Sequence, residues 1–302
     1  MAMETLPEIP EFEVLSCLGY GARSTIYAVC ETRTRQLYAL KRVVRHSSDD
    51  NRFLQQVKQE YAISSRFDHP ALRKSHRLIY RRKFLTITEL HLLMDMFDGT
   101  ALDVVRPSDL QALLDVFCQV SQGLAMMHRM GYVHADIKPN NILINHENKC
   151  KIIDFGQSCK IGTVKTRIQG TPDYIAPEQV ALGPLTPATD IFNFGASLYW
   201  CVTDHYVPTA ISKKKNENDI SAAAVRTLVP PHEINPHLPM ALSQLILECV
   251  ENRPSRRPPS MDAVYTRLQL TLSMSAAVRL NPTADRNGTP PAPSPASADT
   301  VT

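Results

Sequence analysis

The pattern of apolar residues predicts an α+β chain: a small β-rich lobe followed by a larger α-rich lobe. Short alternating runs separated by turn residues fill the first ninety-odd positions. Stripes with a helical period dominate the rest. Hydrophobic residues make up 43% of 302, enough for a sizeable core and against global disorder.

Residues 12–18, 26–30 and 37–44 are the first three strand candidates, with Gly19, Gly21 and Thr32-Arg33-Thr34-Arg35 as turn signals between them. Residues 51–66 read as one helix. Phe53, Leu54, Val57, Tyr61 and Ile63 fall near a 3.6-residue period, and Asp49-Asp50-Asn51 supplies a cap region. Strands around 78–80 and 90–96 follow, and Asp98-Gly99 breaks the pattern. Pro107-Ser108-Asp109 leads into a helix over 110–130, with Leu113, Val116, Phe117, Val120, Leu124 and Met127 as its apolar stripe. Further helices are expected around 187–203, 239–251 and 260–272. From about Leu280 the chain is rich in Pro, Ala, Ser and Thr, with Val301 as its one large apolar residue. Such a composition cannot bury a core, so a disordered tail is expected over 276–302.

The bulk properties narrow the function classes. A formal net charge of +3 is too small to argue for nucleic-acid binding. The seven cysteines are scattered without a C-x-x-C pair, which reads as reduced thiols rather than a disulfide framework. The opening MAMETLPEIPEFE is acidic and lacks the apolar segment of a signal peptide. No run of about eighteen apolar residues occurs, so no membrane span is expected. Together these predict a cytoplasmic protein.

The chemistry is concentrated in His134-Ala135-Asp136-Ile137-Lys138-Pro139-Asn140-Asn141 and, thirteen residues further on, Asp154-Phe155-Gly156. A proton acceptor, a cation and two oxygen-bearing metal ligands at fixed spacing are the inventory for moving a phosphoryl group from a metal–nucleotide complex to a hydroxyl. Asp136 can accept the hydroxyl proton and Lys138 can neutralise charge on the moving group. Asn141 and Asp154 can hold Mg²⁺, a hard ion that prefers oxygen ligands.

H-x-D-x-K-P-x-N followed by D-F-G resembles the catalytic and metal-binding loops of the protein kinase family. The likeness covers about residues 12–272 in family order and looks most like a bacterial-type serine/threonine protein kinase. It implies a bilobal protein-kinase-like fold: a small antiparallel β-rich N-lobe with one helix C, and a larger α-helical C-lobe. The implied domain is 12–275, with an N-lobe over 12–97, a C-lobe over 98–275 and an extension over 1–11.

The implied cofactors are ATP and Mg²⁺, and the implied substrates are proteins with Ser or Thr. Gly19, Gly21 and Ser24 resemble the glycine-rich phosphate loop, with Ser24 in place of its third glycine. Lys41, in Tyr38-Ala39-Leu40-Lys41, matches the phosphate-holding lysine, and Glu60 matches its helix-C partner. Met94 stands at the gatekeeper position and Asp95, Met96 and Phe97 at the hinge. Ile26, Ala39 and Leu143 match the apolar positions that sandwich adenine. Gly170 to Glu178 resembles the substrate-docking segment ending in A-P-E. Arg257 stands as the buried partner of Glu178, and Asp190 as the brace of the catalytic loop.

Three departures stand out. Ala135 replaces the arginine that in the family pairs with an activation-loop phosphate, so activity is expected to depend less on that phosphate. Thr163 and Thr166 remain candidate autophosphorylation sites. Ser64 stands where the family has an apolar residue. That forfeits burial of order 1–2 kcal/mol and suggests a helix C loosely docked until a dimer contact or regulatory partner seats it. Arg73, Lys74, Arg77, Arg81, Arg82 and Lys83 read as a solvated basic surface, or as a dock for an acidic partner. Two alternatives to an active protein kinase stay open: a pseudokinase scaffold and a small-molecule phosphotransferase.

Overall fold

A computed structural model describes residues 6–21, 23–209, 211 and 228–274. In the first lobe β1 (Phe12–Gly21), β2 (Ser24–Glu31) and β3 (Leu37–Val44) form a meander. The hairpin of β4 (Ser75–Lys83) and β5 (Thr86–Asp95) completes an antiparallel sheet in the order β1-β2-β3-β5-β4. Side chains alternate between its faces. Leu40 and Leu93 point to one face, where Ile9, Phe12 and Val29 cover them. Ala39, Val43, Leu90, Leu92 and Met94 point to the other, against Leu54 and Val57. Lys41 shares that second face by alternation. Ile9 also bridges to Phe12, so the last residues before 12 pack on the sheet.

The helix α1 (Asn51–Ser64) carries those two apolar residues and buries Leu54, Val57, Glu60, Ile63 and Ser64. The three-residue step from Leu54 to Val57 to Glu60 turns a carboxylate toward the sheet. The segment after α1 crosses to the second lobe. Ile63, Phe67, Ala71 and Leu72 belong to the large core, and Ile152 N–H donates to the Ala71 carbonyl at 2.7 Å. A boundary near residue 97 therefore divides the chain but not the packing.

The second lobe begins with β6 (Thr100–Ala101) and α2 (Leu110–Arg129). Asp109 caps α2 by accepting from the Ala112 N–H at 2.8 Å. The expected stripe, Leu113 to Met127, is fully buried. Short strands follow: β7 (Tyr132–Val133), β8 (Ile142–Ile144), β9 (Cys150–Ile152) and β10 (Cys159–Lys160). They form the ladders β6-β8-β9 and β7-β10, which fix both ends of the 134–141 loop. Runs of two or three residues carry no period, so the sequence does not announce them. Among the described residues the remaining helices are α3 (Pro177–Val180), α4 (Pro187–Thr203), α5 (Pro231–Ile234), α6 (Met240–Cys249) and α7 (Met261–Met274). From Thr189 onward every residue of α4 is buried. Its Gly195 lets α6 approach so closely that an added Cβ would collide with Cys249.

All seven cysteines are free thiols. Among the described residues no helix is long and apolar enough to cross a membrane. The expected tail over 276–302 lies outside the described residues.

Candidate active site

A cavity of about 240 Å³ opens between the sheet, α1 and the loop that follows β9. Gly21, Ser24, Ile26, Lys41, Glu60, Met94, Asn141 and Asp154 all line it, so eight expected site residues meet there. Gly19, Ala39, Asp95, Met96, Phe97 and Leu143 do not line this cavity. Ala39 is buried in the sheet opposite Met94, and Leu143 sits in β8 opposite Ala101. Asp95 is held by His76 at 2.6 Å and Lys151 at 3.6 Å, and its N–H donates to the Lys74 carbonyl at 3.0 Å. At Gly21 a Cβ would strike the Ser24 hydroxyl, so glycine permits that tight approach.

Lys41 Nζ lies 2.8 Å from Glu60 Oε2 and 3.5 Å from Asp154 Oδ1. Burial alone would lower the Lys41 pKa, yet the two carboxylates hold it above the ordinary lysine range. Burial pushes Glu60 up, and Lys41 opposes that. Lys41 is the main cause of the depressed Asp154 pKa. Asp154 adopts left-handed backbone angles, φ 61° and ψ 73°, which turn its carboxylate into the cleft while Phe155 is buried. Phe155 packs on His134 and Phe67, with ring centres 5.3 and 5.8 Å away.

Side chains of the 134–141 loop converge on one hydroxyl. Thr171 Oγ1 donates to Asp136 Oδ1 at 3.0 Å and accepts from Lys138 Nζ at 2.7 Å. Lys138 also stands 3.3 Å from Asp136 Oδ2. Asn141 donates from Nδ2 to the Asp136 carbonyl at 2.8 Å, so its amide oxygen is the end left for a cation. The loop hangs on Asp190, which has no exposed surface. It accepts from the N–H groups of His134 and Ala135 at 2.9 and 2.7 Å and pairs with His128 at 2.8 Å. Burial would raise its pKa, but His128 and the backbone donors bring it below the usual range.

Further groups hold the segment after Asp154. Glu178 and Arg257 form a bidentate pair at 2.7 and 2.9 Å, with Arg257 5% exposed. Sequence reasoning missed Gln179, whose side chain donates to the Ala135 and Gln169 carbonyls at 2.8 and 3.2 Å. It also missed Asn193, which donates to Tyr174 O and to Gln179. Neither stands in a chemical motif; proximity alone reveals them. Ala135 lies in a small apolar cluster with Val133, Cys159 and Leu185.

Two expectations change. The basic run at 73–83 is not one solvated face: Arg73 is 8% exposed and lines the cavity. Arg77 pairs with Glu11 and Glu31, Lys74 pairs with Asp68, and Arg82 stacks over Tyr80. Nor is α1 loose here. Ser64 is fully buried and hydrogen-bonded, and Glu60 reaches Lys41.

An antiparallel lobe over a helical lobe, with a lysine–glutamate pair above an Asp/Asn loop, defines a phosphotransferase-like class. Residues 12–268 match the protein kinase domain, and the chain belongs to the protein kinase family. It is 26% identical over 271 residues to a probable serine/threonine-protein kinase of Clostridium acetobutylicum, covering 83% of this chain and 38% of that protein. It is 26% identical to serine/threonine-protein kinase PknA of Mycobacterium tuberculosis, covering 82% and 59%. The third likeness is to serine/threonine-protein kinase PknD of Chlamydia abortus, 23% identical over 87% and 31%. In each case the chain spans less than two thirds of the relative.

Proposed function

We propose that the chain is an ATP- and Mg²⁺-dependent serine/threonine protein kinase, with residues 12–275 as its kinase domain. The observation that carries this is the Asp136–Thr171–Lys138 hydrogen-bond set beside Asn141 and Asp154. Asp136 orients a substrate hydroxyl and accepts its proton; Lys138 balances charge on the transferred group. Thr171 belongs to the segment that would seat the protein substrate, and its hydroxyl ties that segment to Asp136.

The donor set suits Mg²⁺. Asn141 and Asp154 offer oxygen ligands, and the described residues contain no cluster of three or more His, Cys, Asp or Glu that could hold a metal by themselves. A site completed by nucleotide phosphates fits that count. Bound Mg²⁺ would neutralise phosphate charge. Lys41 would hold the α- and β-phosphates, with Gly19, Gly21 and Ser24 covering them. Ile26, Ala39 and Leu143 would flank adenine next to Met94 and the hinge backbone of Asp95, Met96 and Phe97.

Serine and threonine side chains of proteins are the substrates in this reading, and Thr163 or Thr166 the sites of self-phosphorylation. The cytoplasm is the expected compartment, and α1 the expected face for a dimer or regulatory partner. The test is incubation with γ-labelled ATP, Mg²⁺ and a generic basic protein, beside Asp136→Asn. Label on protein that disappears in the variant supports the reading. Label confined to a sugar or amine, or none with nucleotide bound, overturns it.

A further inference from the structure

The link from α1 to β4 places an unusual group of polar side chains behind the cleft. Ser64 Oγ donates to the Glu60 carbonyl at 2.6 Å and is hydrogen-bonded to Ser75 Oγ, also at 2.6 Å. Both serines are buried, at 0% and 3% exposure. Two residues before Ser75 stands Arg73. It is 8% exposed, and among the described residues its guanidinium makes no hydrogen bond or ion pair; its Nε is enclosed and unpartnered. It lines the same cavity as Lys41, Glu60 and Asp154.

A buried charge without a direct partner is costly, so the charges around it bear on its place there. Burial lowers the Arg73 pKa, and the carboxylates of Glu60, then Asp154 and Asp95, oppose that without outweighing it. The charge count explains the need. One ammonium, Lys41, is shared by Glu60 and Asp154 at 2.8 and 3.5 Å. Arg73 is the second cation of that four-group set. Glu60 is only 1% exposed, so little bulk water screens its charge.

We propose that Arg73 is a positioning residue for phosphoryl transfer: its guanidinium is the second cation of Glu60 and keeps α1 docked when Lys41 turns toward nucleotide phosphates. This rests on the kinase reading above. The docking contact of α1 beside Glu60 is polar, because Ser64 and Ser75 bring hydroxyls where apolar side chains would add burial. The seat of Glu60 therefore depends on charge. Interaction through the field needs no fixed hydrogen-bond geometry, so a lysine retains much of it, whereas methionine fills the space without the charge.

Arg73→Met and Arg73→Lys separate these roles. The readouts are KM for ATP, kcat, and amide hydrogen exchange over residues 51–64. Arg73→Met is expected to raise KM about tenfold with kcat within about threefold, and to speed exchange in α1. Arg73→Lys is expected to return KM to within about threefold of wild type. Wild-type KM and exchange in Arg73→Met would overturn the proposal, as would equal impairment of the lysine variant. Arg73→Gln serves as a second neutral variant if Arg73→Met does not fold. Failure of both neutral variants to fold would also overturn it, because Arg73 would then act on folding of the lobe. A wild-type protein that binds ATP and transfers nothing removes the kinase reading instead. ATP dissociation constants and α1 exchange then decide the role of Arg73.

Discussion

The two lobes each enclose a carboxylate–cation pair, and they do so differently. In the large lobe Arg257 meets Glu178 through a two-pronged fork and also donates to the carbonyls of Ala188, Glu251 and Asn252. Its guanidinium stacks over Phe192 at 5.0 Å. Every donor is spoken for, inside one continuous apolar core. In the small lobe a single ammonium serves two carboxylates, and among the described residues the neighbouring guanidinium has no hydrogen bond. The first arrangement holds one geometry. The second can exchange partners, as a group that must also meet phosphate requires. Breaking the large-lobe pair should therefore destabilise the fold, whereas removing Arg73 from the small-lobe set should raise KM for ATP in a folded protein.

The largest expected effect is on chemistry alone. Asp136→Asn should lower phosphoryl transfer about a thousandfold at an unchanged melting temperature, measured by label incorporation beside a thermal melt. A parallel fall in stability would move Asp136 from the reacting group to the scaffold. Next comes Arg257→Leu, which strands Glu178 beside the core. It should cost about 3–5 kcal/mol by denaturant unfolding. A loss under 1 kcal/mol would mean that the fork is not the rigid member of the comparison.

Ser64→Ala removes two buried hydrogen bonds, worth about 1 kcal/mol each, and should leave the large lobe intact. Urea melts that lose amplitude in both lobes together would count against separate cores. Smaller still, Thr163→Ala with Thr166→Ala should change turnover less than about twofold, because the apolar cluster around Ala135 and the Gln179 contacts order the segment without a phosphate. A hundredfold loss would show that a phosphate does that work.

The smallest effect is a pH dependence in the sheet. Arg42 forks onto Glu89 at 2.8 Å through Nε and Nη2 and, as the main cause, lowers the Glu89 pKa from 4.5 to about 2. A depressed carboxylate stabilises the fold above its unfolded pKa, and that contribution fades as pH falls from 4.5 toward about 2. Glu89→Gln should therefore lower the melting temperature slightly at neutral pH, and the gap to wild type should close across that acid window. Solvent around the pair keeps the effect small.

Much of the architecture is legible in single residues. The expected helices over 110–130 and 187–203 form with nearly those bounds, because a long stripe such as Leu113 to Met127 has one way to be buried. Strand β3 matches its expected range, Leu37 to Val44, which follows the Thr32-Arg33-Thr34-Arg35 turn signal. The two- and three-residue strands are not legible, since pairing with other strands, not a period of their own, defines them. Arg73 was misread for a related reason. Its neighbours Arg77, Arg81 and Arg82 share its charge, and nothing local distinguishes the member that turns inward.

The sequence by itself determined the two-lobed plan, the family likeness and the identity of the groups in the 134–141 and 154–156 motifs. Those properties depend on periodicity and on short, fixed spacings along the chain. The tertiary structure decided which charges meet. Lys41 and Asp154 are 113 positions apart, and Arg257 lies 79 from Glu178. It also enclosed Ser64, Ser75 and Arg73 behind the cleft. Burial and electrostatic partnership are properties of distance in space, and a linear order of residues does not contain them.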